Sequence, residues 1–287
     1  MYPAAFEYLE PQSLQQAVDF LAQAGEDARI LAGGQSLIPL MKLRLARPKY
    51  LIDLNRVAGL NYVQERDGCL AIGALTRHTD IETSPLVREK IPLMCEAVRQ
   101  LGDLQVRNLG TVAGAVVEAD PAGDWGPVIL ALNARLRCLG PHGEREIKAT
   151  DFYTFAYTTA LQTAELVKEI AIPIPSKPTL GKYIKLERVA GDFAVASVAV
   201  QADIGKDRVC RDIGIGLGGA GECPIKAAAV ETMLRGQRLS PEIIERAGGQ
   251  IHEIASPISD LRGSLEYKKE VLKVIFRRAL AQLLEQR

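Results

Sequence analysis

Apolar residues recur at helical spacing at Leu14, Ala17, Val18 and Leu21. Ser13 and Gln16 precede and open this run as a capping-box pair, and Gly25 follows as a stop, so the pattern predicts a first helix. Short apolar runs at "ARILA" and "KYLIDL" read as strands, and "ILAGGQSLIPLMKLRLARP" joins a strand to the start of a helix through a turn nearly free of side chains. Strand, helix and strand this close together predict a small α/β unit at the N-terminus.

From residue 60 the pattern changes. "CLAIGAL", "ARLRCLG", "EREIKA" and "ELVKEIAIPIP" read as strands, with Gly140 and Pro141 turning the chain between the second and third. Met94, Ala97, Val98 and Leu101 mark one helix face. "DWGPVILALNA" reads as a short buried helix capped by Asp124. This middle stretch is mixed and antiparallel in character. The Pro- and Gly-rich "IPIPSKPTLGK" (172–182) is the strongest candidate boundary. Beyond it, "YIKLERV", "FAVASVAVQADI" and "RDIGIGLGG" predict strands, with "GKDR" as a hairpin turn. Three helices close the chain: one stopped by Gly236, one capped by Ser240 with Pro241 at its first position, and a long amphipathic one from Ser264. The last is most simply packed on its own domain.

Composition narrows the function classes. Lys plus Arg equals Asp plus Glu at 35 each, so no global field draws the chain to nucleic acid or to an anionic membrane. No apolar run reaches spanning length, and "MYPAAFEYLEPQS" lacks the basic-then-apolar order of a signal peptide, which predicts a cytoplasmic protein without a membrane span. Cys69, Cys95, Cys138, Cys210 and Cys223 are dispersed with no C-x-x-C pair, against an iron–sulfur or structural zinc site and in favour of free core thiols. The histidines, His78, His142 and His252, form no H-x-x-x-H pair, and no G-x-S-x-G elbow occurs, so a self-contained hydrolase is disfavoured.

Three glycine clusters remain as candidate chemistry. "GIGLGG" (214–219) matches a dinucleotide fingerprint literally, but its glycines alternate within a strand and the helix begins only after Pro224; a close-packed strand is the better reading. The other two, around Gly33–Gly34 and in "RNLGTVAGAVVEADPAGD", make a better pair. Backbone N–H groups in such turns can cradle the pyrophosphate of a flavin or nicotinamide dinucleotide, Gly33, Gly34 and Gly114 permit close approach, and Thr111 and Asp120 or Asp124 offer polar contacts. Ordinary turns use the same residues, so on spacing alone both readings stand.

"LAGGQSLIPLMKLRLARPKYLIDL" and, further on, "VRNLGTVAGAVVEADPAGDWGPVILAL" resemble the FAD-binding, medium subunit of molybdenum hydroxylases, the xanthine dehydrogenase and carbon monoxide dehydrogenase family. "YIKLERVAGDFAVASVAV" and "DLRGSLEYKKEVLKVIFRRAL" are similar to that family's C-terminal flavoprotein domain, so the likeness covers nearly the whole chain. It implies an α+β protein with a vanillyl-alcohol-oxidase-type (PCMH-like) FAD-binding fold in two subdomains, 1–55 and an antiparallel 56–175, plus a C-terminal α/β flavoprotein domain, 176–287. It implies an oxidoreductase subunit that binds FAD and takes electrons from the two [2Fe–2S] clusters of a small partner subunit. Those electrons pass to NAD⁺, oxygen, a quinone or another acceptor, while a large subunit holds a molybdenum pterin cofactor. The resemblance further implies a heterotrimer, or a dimer of heterotrimers. A flavin suits such a relay because it accepts single electrons and releases a hydride pair, while the protein positions it and tunes its potential.

Carried over by position, the first phosphate loop is Ala32, Gly33, Gly34, Gln35 and Ser36 with Leu37 behind it. The second is Thr111, Gly114 and the backbone around Val117 and Glu118, with Asp124 near the ribityl chain. Leu101 and Val167 fall at apolar flavin contacts, and Lys185 matches a lysine near the isoalloxazine edge, where a cation stabilises the reduced anion. Each of these three also has an ordinary reading, as core for the first two and a solvated strand-end lysine for the third. The second loop departs from the family's usual T-I-G-G-N: Ala113 stands for a glycine and Ala115 for an asparagine. Ala113 matters only where the backbone needs a positive φ, and the amide lost at Ala115 is worth about 1 kcal/mol. Two other readings stay open: a stand-alone flavin oxidase or dehydrogenase, and a scaffold subunit that has lost FAD.

Overall fold

The computed structural model of the chain describes residues 2–286. It begins with β1 (Glu7–Leu9), α1 (Leu14–Ala24), β2 (Ala28–Leu31), α2 (Leu37–Lys42) and β3 (Tyr50–Asp53). The three strands pair in parallel in the order β1-β3-β2. Ser13 caps α1 by accepting from the Gln16 N–H, while the Gln16 side chain accepts from the backbone of Gln12 rather than of Ser13. Gly25, at φ +56°, ends the helix. Ala17 and Val18 carry α1 onto the sheet with Ala28, Ile52 and Leu54.

The middle of the chain is built on a five-stranded antiparallel sheet. Its first two strands, β4 (Val63–Arg66) and β5 (Cys69–Gly73), are followed by six short helices: α3 (His78–Thr83), α4 (Pro85–Lys90), α5 (Pro92–Val98), α6 (Leu104–Leu109), α7 (Val112–Glu118) and α8 (Trp125–Ala131). The chain returns through β6 (Arg135–Gly140), β7 (Gly143–Lys148), α9 (Ala149–Phe152), the small hairpin β8 (Tyr153–Phe155) and β9 (Thr158–Thr159), and β10 (Leu166–Pro173). The sheet order is β4-β5-β10-β6-β7. The helical share exceeds what the sequence pattern shows, because three of these helices have only six residues and the other three only seven, too short for a 3.6-residue period to register.

The C-terminal part is a four-stranded antiparallel sheet, β11 (Leu180–Leu186), β12 (Ala196–Ile204), β13 (Cys210–Gly218) and β14 (Ile225–Lys226), followed by α10 (Ala228–Leu234), α11 (Pro241–Ile254) and α12 (Leu265–Glu285). Leu272, Ile275, Phe276, Ala279, Leu280 and Leu283 bury one face of α12 against β11 and β12, as its amphipathic pattern requires. No helix among the described residues is long and apolar enough to cross a membrane.

The alternating glycines of β13 explain the false dinucleotide motif. A methyl carbon on Gly214 would lie 1.9 Å from the Ala131 carbonyl oxygen, and one on Gly216 would lie 1.9 Å from that of Pro127. These glycines let β13 run against the backbone of α8, so the C-terminal sheet packs directly on the helices of the middle region. Gly181 on β11 makes the same close approach to Leu93 of α5.

Candidate functional site

The turn between β2 and α2 carries Ala32 to Ser36, all half-buried. Gly34 has φ +72°, a conformation that a side chain resists, and a methyl on Gly33 would strike the Leu109 carbonyl oxygen at 2.4 Å and the Gly110 Cα at 2.6 Å. Gly33 therefore lies flat against the chain that enters the second glycine cluster. Gly34 and Ser36 accept the first helical bonds of α2, from Ile38 and Leu40. The N–H groups of Gly33, Gly34, Gln35, Ser36 and Leu37, by contrast, meet no protein acceptor among the described residues. The Gln35 side chain donates to the Gly33 carbonyl and braces the turn. Beside these donors opens a cavity of about 780 Å³, lined by the turn itself and by Lys42, Asp53, Asn55, Arg77 and others.

The second cluster is a helix rather than a loop, which corrects the sequence reading. Thr111 caps α7, its hydroxyl oxygen accepting from the Gly114 N–H at 3.1 Å. Val112 and Ala115 donate to the carbonyls of Thr76 and Thr111, so their backbone donors are already engaged. Val112, Ala113 and Val116 are buried, and this apolar face is what makes the segment helical. Ala113 has no positive φ, so its methyl group carries no backbone strain; Ala115 is half-buried on the same helix. The position of a methyl on Gly114 would lie 3.9 Å from the Ala32 side chain, so the two clusters face each other. Val117 and Glu118 form the last turn. Burial, and then Asp120, raise the Glu118 carboxyl above its ordinary pKa.

Asp124 begins α8 but does not cap it. Its carboxylate turns to the C-terminal sheet instead, accepting from the Tyr183 hydroxyl at 2.7 Å and pairing with the Lys185 Nζ at 3.2 Å. Lys185 is not a solvated strand end: its side chain is fully buried and also donates to the carbonyls of Gln100, at 2.7 Å, and Asp192, at 2.9 Å. Burial raises the pKa of Asp124, against the opposing pull of Lys185 and Tyr183. Leu101 follows Gln100 directly and is buried. Val167 is buried on β10, against which α7 packs. Asp120, the other acid considered, is engaged in its own turn by the Ala122 N–H and the Tyr157 hydroxyl.

Two residues link these groups without any motif to announce them. Arg77 donates from one guanidinium nitrogen to the Leu109 carbonyl and from the other to Asn55 Oδ1 at 2.6 Å, while Asn55 donates to the Ala32 carbonyl at 2.9 Å. His78, buried beneath Gly110, accepts the Trp125 indole N–H on Nδ1 at 3.1 Å and donates its backbone N–H to Gly110. The fold alone joins them, so no spacing in the chain could have found them.

Residues 4–175 match the FAD binding domain in molybdopterin dehydrogenase, and residues 182–283 match the CO dehydrogenase flavoprotein C-terminal domain. The chain belongs to this family of molybdenum-hydroxylase flavoprotein components. It is 41% identical over 284 residues to the glyceraldehyde dehydrogenase medium chain of Sulfolobus acidocaldarius, covering 99% of this chain and 100% of that one. With the carbon monoxide dehydrogenase medium chain of Hydrogenophaga pseudoflava it shares 36% identity over 280 residues, covering 98% and 97%. Among solved structures, the cyanide-inactivated Cu,Mo-CO dehydrogenase superposes with a TM-score of 0.97 at 35% identity over the whole of both chains. Quinoline 2-oxidoreductase from Pseudomonas putida 86 superposes at 0.93 with 30% identity, covering 100% and 99%.

Proposed function

We propose that the chain is the FAD-carrying electron-transfer component of a heterotrimeric molybdenum hydroxylase in the cytoplasm. It accepts electrons from the [2Fe–2S] clusters of a small subunit whose large partner holds the molybdenum pterin, and it hands them to NAD⁺, oxygen, a quinone or another acceptor. One observation carries the cofactor assignment: the consecutive N–H groups from Gly33 to Leu37, without a protein acceptor among the described residues and beside a cavity, which suit an anionic diphosphate. Bound FAD supplies the exchange between one-electron and two-electron transfer.

In this reading, residues 32–37 hold the diphosphate through their backbone, and the Thr111 hydroxyl, while accepting from Gly114, retains its own proton to donate. Asp124 and Lys185 present an acceptor and a cation held rigid by Tyr183, Gln100 and Asp192, with Leu101 and Val167 as apolar walls. Val117 and Glu118 close the far end of α7. Units 1–55, 56–175 and 176–287 divide the work, the first two around the cofactor and the third covering it through Lys185. The unstrained helical backbone at Ala113 supports retention of FAD and argues against a degenerate scaffold. The five unpaired cysteines suit a reducing compartment.

The test is acid extraction of the purified full chain followed by chromatography of the flavin released. One FAD per chain is the expected result. A colourless chain that takes up no FAD on titration defeats the assignment, and turnover of an organic substrate by this chain alone would favour a stand-alone flavoenzyme.

A further inference from the structure

Arg77 stands out among the cations of the cleft. Two of its guanidinium N–H groups are fixed, one on the Leu109 carbonyl and one on Asn55 Oδ1. Its remaining donors have no protein acceptor among the described residues, and it lines the same cavity as Gly33, Gly34 and Gln35. It is half-buried, and no carboxylate among the described residues forms an ion pair with it; Asp80 accepts the Arg77 backbone N–H, and Asp80 and Asp53, the latter lining the same cavity, act on the guanidinium charge without contacting it. Burial lowers the pKa of the guanidinium, outweighing the opposing pull of Asp80 and Asp53. A partly desolvated, unpaired charge is costly in a folded protein unless an anion completes it. Its neighbours fix where that anion would sit. Arg77 reaches the first loop through Asn55, which holds the Ala32 carbonyl, and reaches the approach to Thr111 through Leu109.

We propose that Arg77 is a cofactor-binding residue that pairs directly with the diphosphate held by residues 33–37, and that its two fixed contacts lock the first loop against the Leu109–Thr111 segment. The site rests on the FAD reading above and deepens it: the diphosphate is held by a side-chain cation as well as by backbone. Guanidinium geometry suits it, since the fork donates two parallel hydrogen bonds to a phosphate while its other edge stays on the protein.

The experiment uses the full chain after removal of flavin, titrated with FAD and, separately, with riboflavin, which lacks phosphate; ADP serves as a competitor. Arg77→Gln is expected to weaken FAD binding by roughly 10- to 100-fold, the worth of one or two charge-assisted hydrogen bonds. It should leave riboflavin binding unchanged and weaken the binding of ADP to a similar degree, and Arg77→Lys should recover part of the FAD and ADP affinity. Equal losses for FAD and riboflavin, or unaltered FAD affinity, would overturn the proposal. A second measurement needs no variant. Phenylglyoxal labelling of Arg77 in the wild-type chain, read by peptide mass spectrometry, should be suppressed by ADP and not by riboflavin, and labelling indifferent to ADP overturns the assignment. Failure of the wild-type chain to bind FAD at all would strike the cofactor reading itself, which the riboflavin and ADP arms keep separate from the role of Arg77.

Discussion

His78 is held neutral by its place in the molecule. Its Nδ1 accepts the Trp125 indole N–H, the two rings stack 5.9 Å apart, and Gly110 closes over the other side. Burial, reinforced by Arg107 and Arg77, lowers its pKa from 6.5 to about 4. Between those values the unfolded chain binds the proton and the folded chain does not. The contribution of His78 is therefore complete above pH 6.5 and is lost as the pH falls through 4, an effect of roughly 3 kcal/mol. His78→Gln, whose amide oxygen can still accept from Trp125, should flatten the fall in unfolding free energy between pH 6.5 and 4.5 in urea titrations; an unchanged slope would show that His78 titrates normally. Lys185 has the opposite logic, because its removal strands a buried carboxylate. Lys185→Met should cost about 3–5 kcal/mol, and adding Asp124→Asn should recover part of it, since Glu187, which also pairs with Lys185 at 3.1 Å, still loses its partner. The raised pKa of Asp124 sets the sign. A buried acid of that kind stabilises the fold while protonated and loses that contribution as the pH rises from its unfolded to its folded pKa. The single variant, in which that folded pKa climbs further, should thus lose less at pH 5 than at pH 8.

Among the elements, β13 and α11 contain glycines with opposite meanings. Gly214 lies against the Ala131 carbonyl, so Gly214→Ala forces β13 and α8 apart and should destabilise the chain by about 3 kcal/mol. Gly249 sits inside α11 with open space where a methyl would point and no positive φ, so Gly249→Ala should stabilise by roughly 0.5–1 kcal/mol. Thermal midpoints moving in opposite directions would verify both. The alternation of "GIGLGG" was readable as a packed strand because strand periodicity outweighs a motif match, and the long helices were readable from their caps at Ser13, Ser240 and Ser264. The close approach at Gly33 was equally plain, since a glycine pair between a strand and a helix advertises one. The conformation of the second glycine cluster was not: α7 is stabilised by burial of Val112 and Val116 in a core that only the assembled fold supplies, and "TVAGAVVEADPAGD" therefore reads as loop. The side chain of Asp124 was misassigned for the same reason. A residue in a capping position looks like a cap until a distant strand brings Tyr183 and Lys185 to it.

At the scale of the whole molecule, the two segments that match separate families are joined by contacts too close to be a hinge. Gly181 rests on the Leu93 backbone, Gly214 and Gly216 rest on α8, and Lys185 and Lys226 reach across to Gln100 and Asp124 and to Leu130. Neither segment can leave without uncovering backbone that has no side chain to shield it, and a buried Lys185 and Asp124 would lose each other as well. The chain should therefore unfold as one cooperative unit even though it is long enough for two domains. Its single tryptophan is placed to report on this, because Trp125 lies in the first matched segment, at the start of the helix that receives β13. In a urea titration, Trp125 fluorescence and far-ultraviolet circular dichroism should give coincident midpoints, and Gly214→Ala should lower both together. A fluorescence transition that separates from the circular dichroism transition would mean that the C-terminal sheet can leave while α8 stays folded, and the Asp124–Lys185 pair would then be a contact made and broken during the working cycle rather than a fixed part of the site.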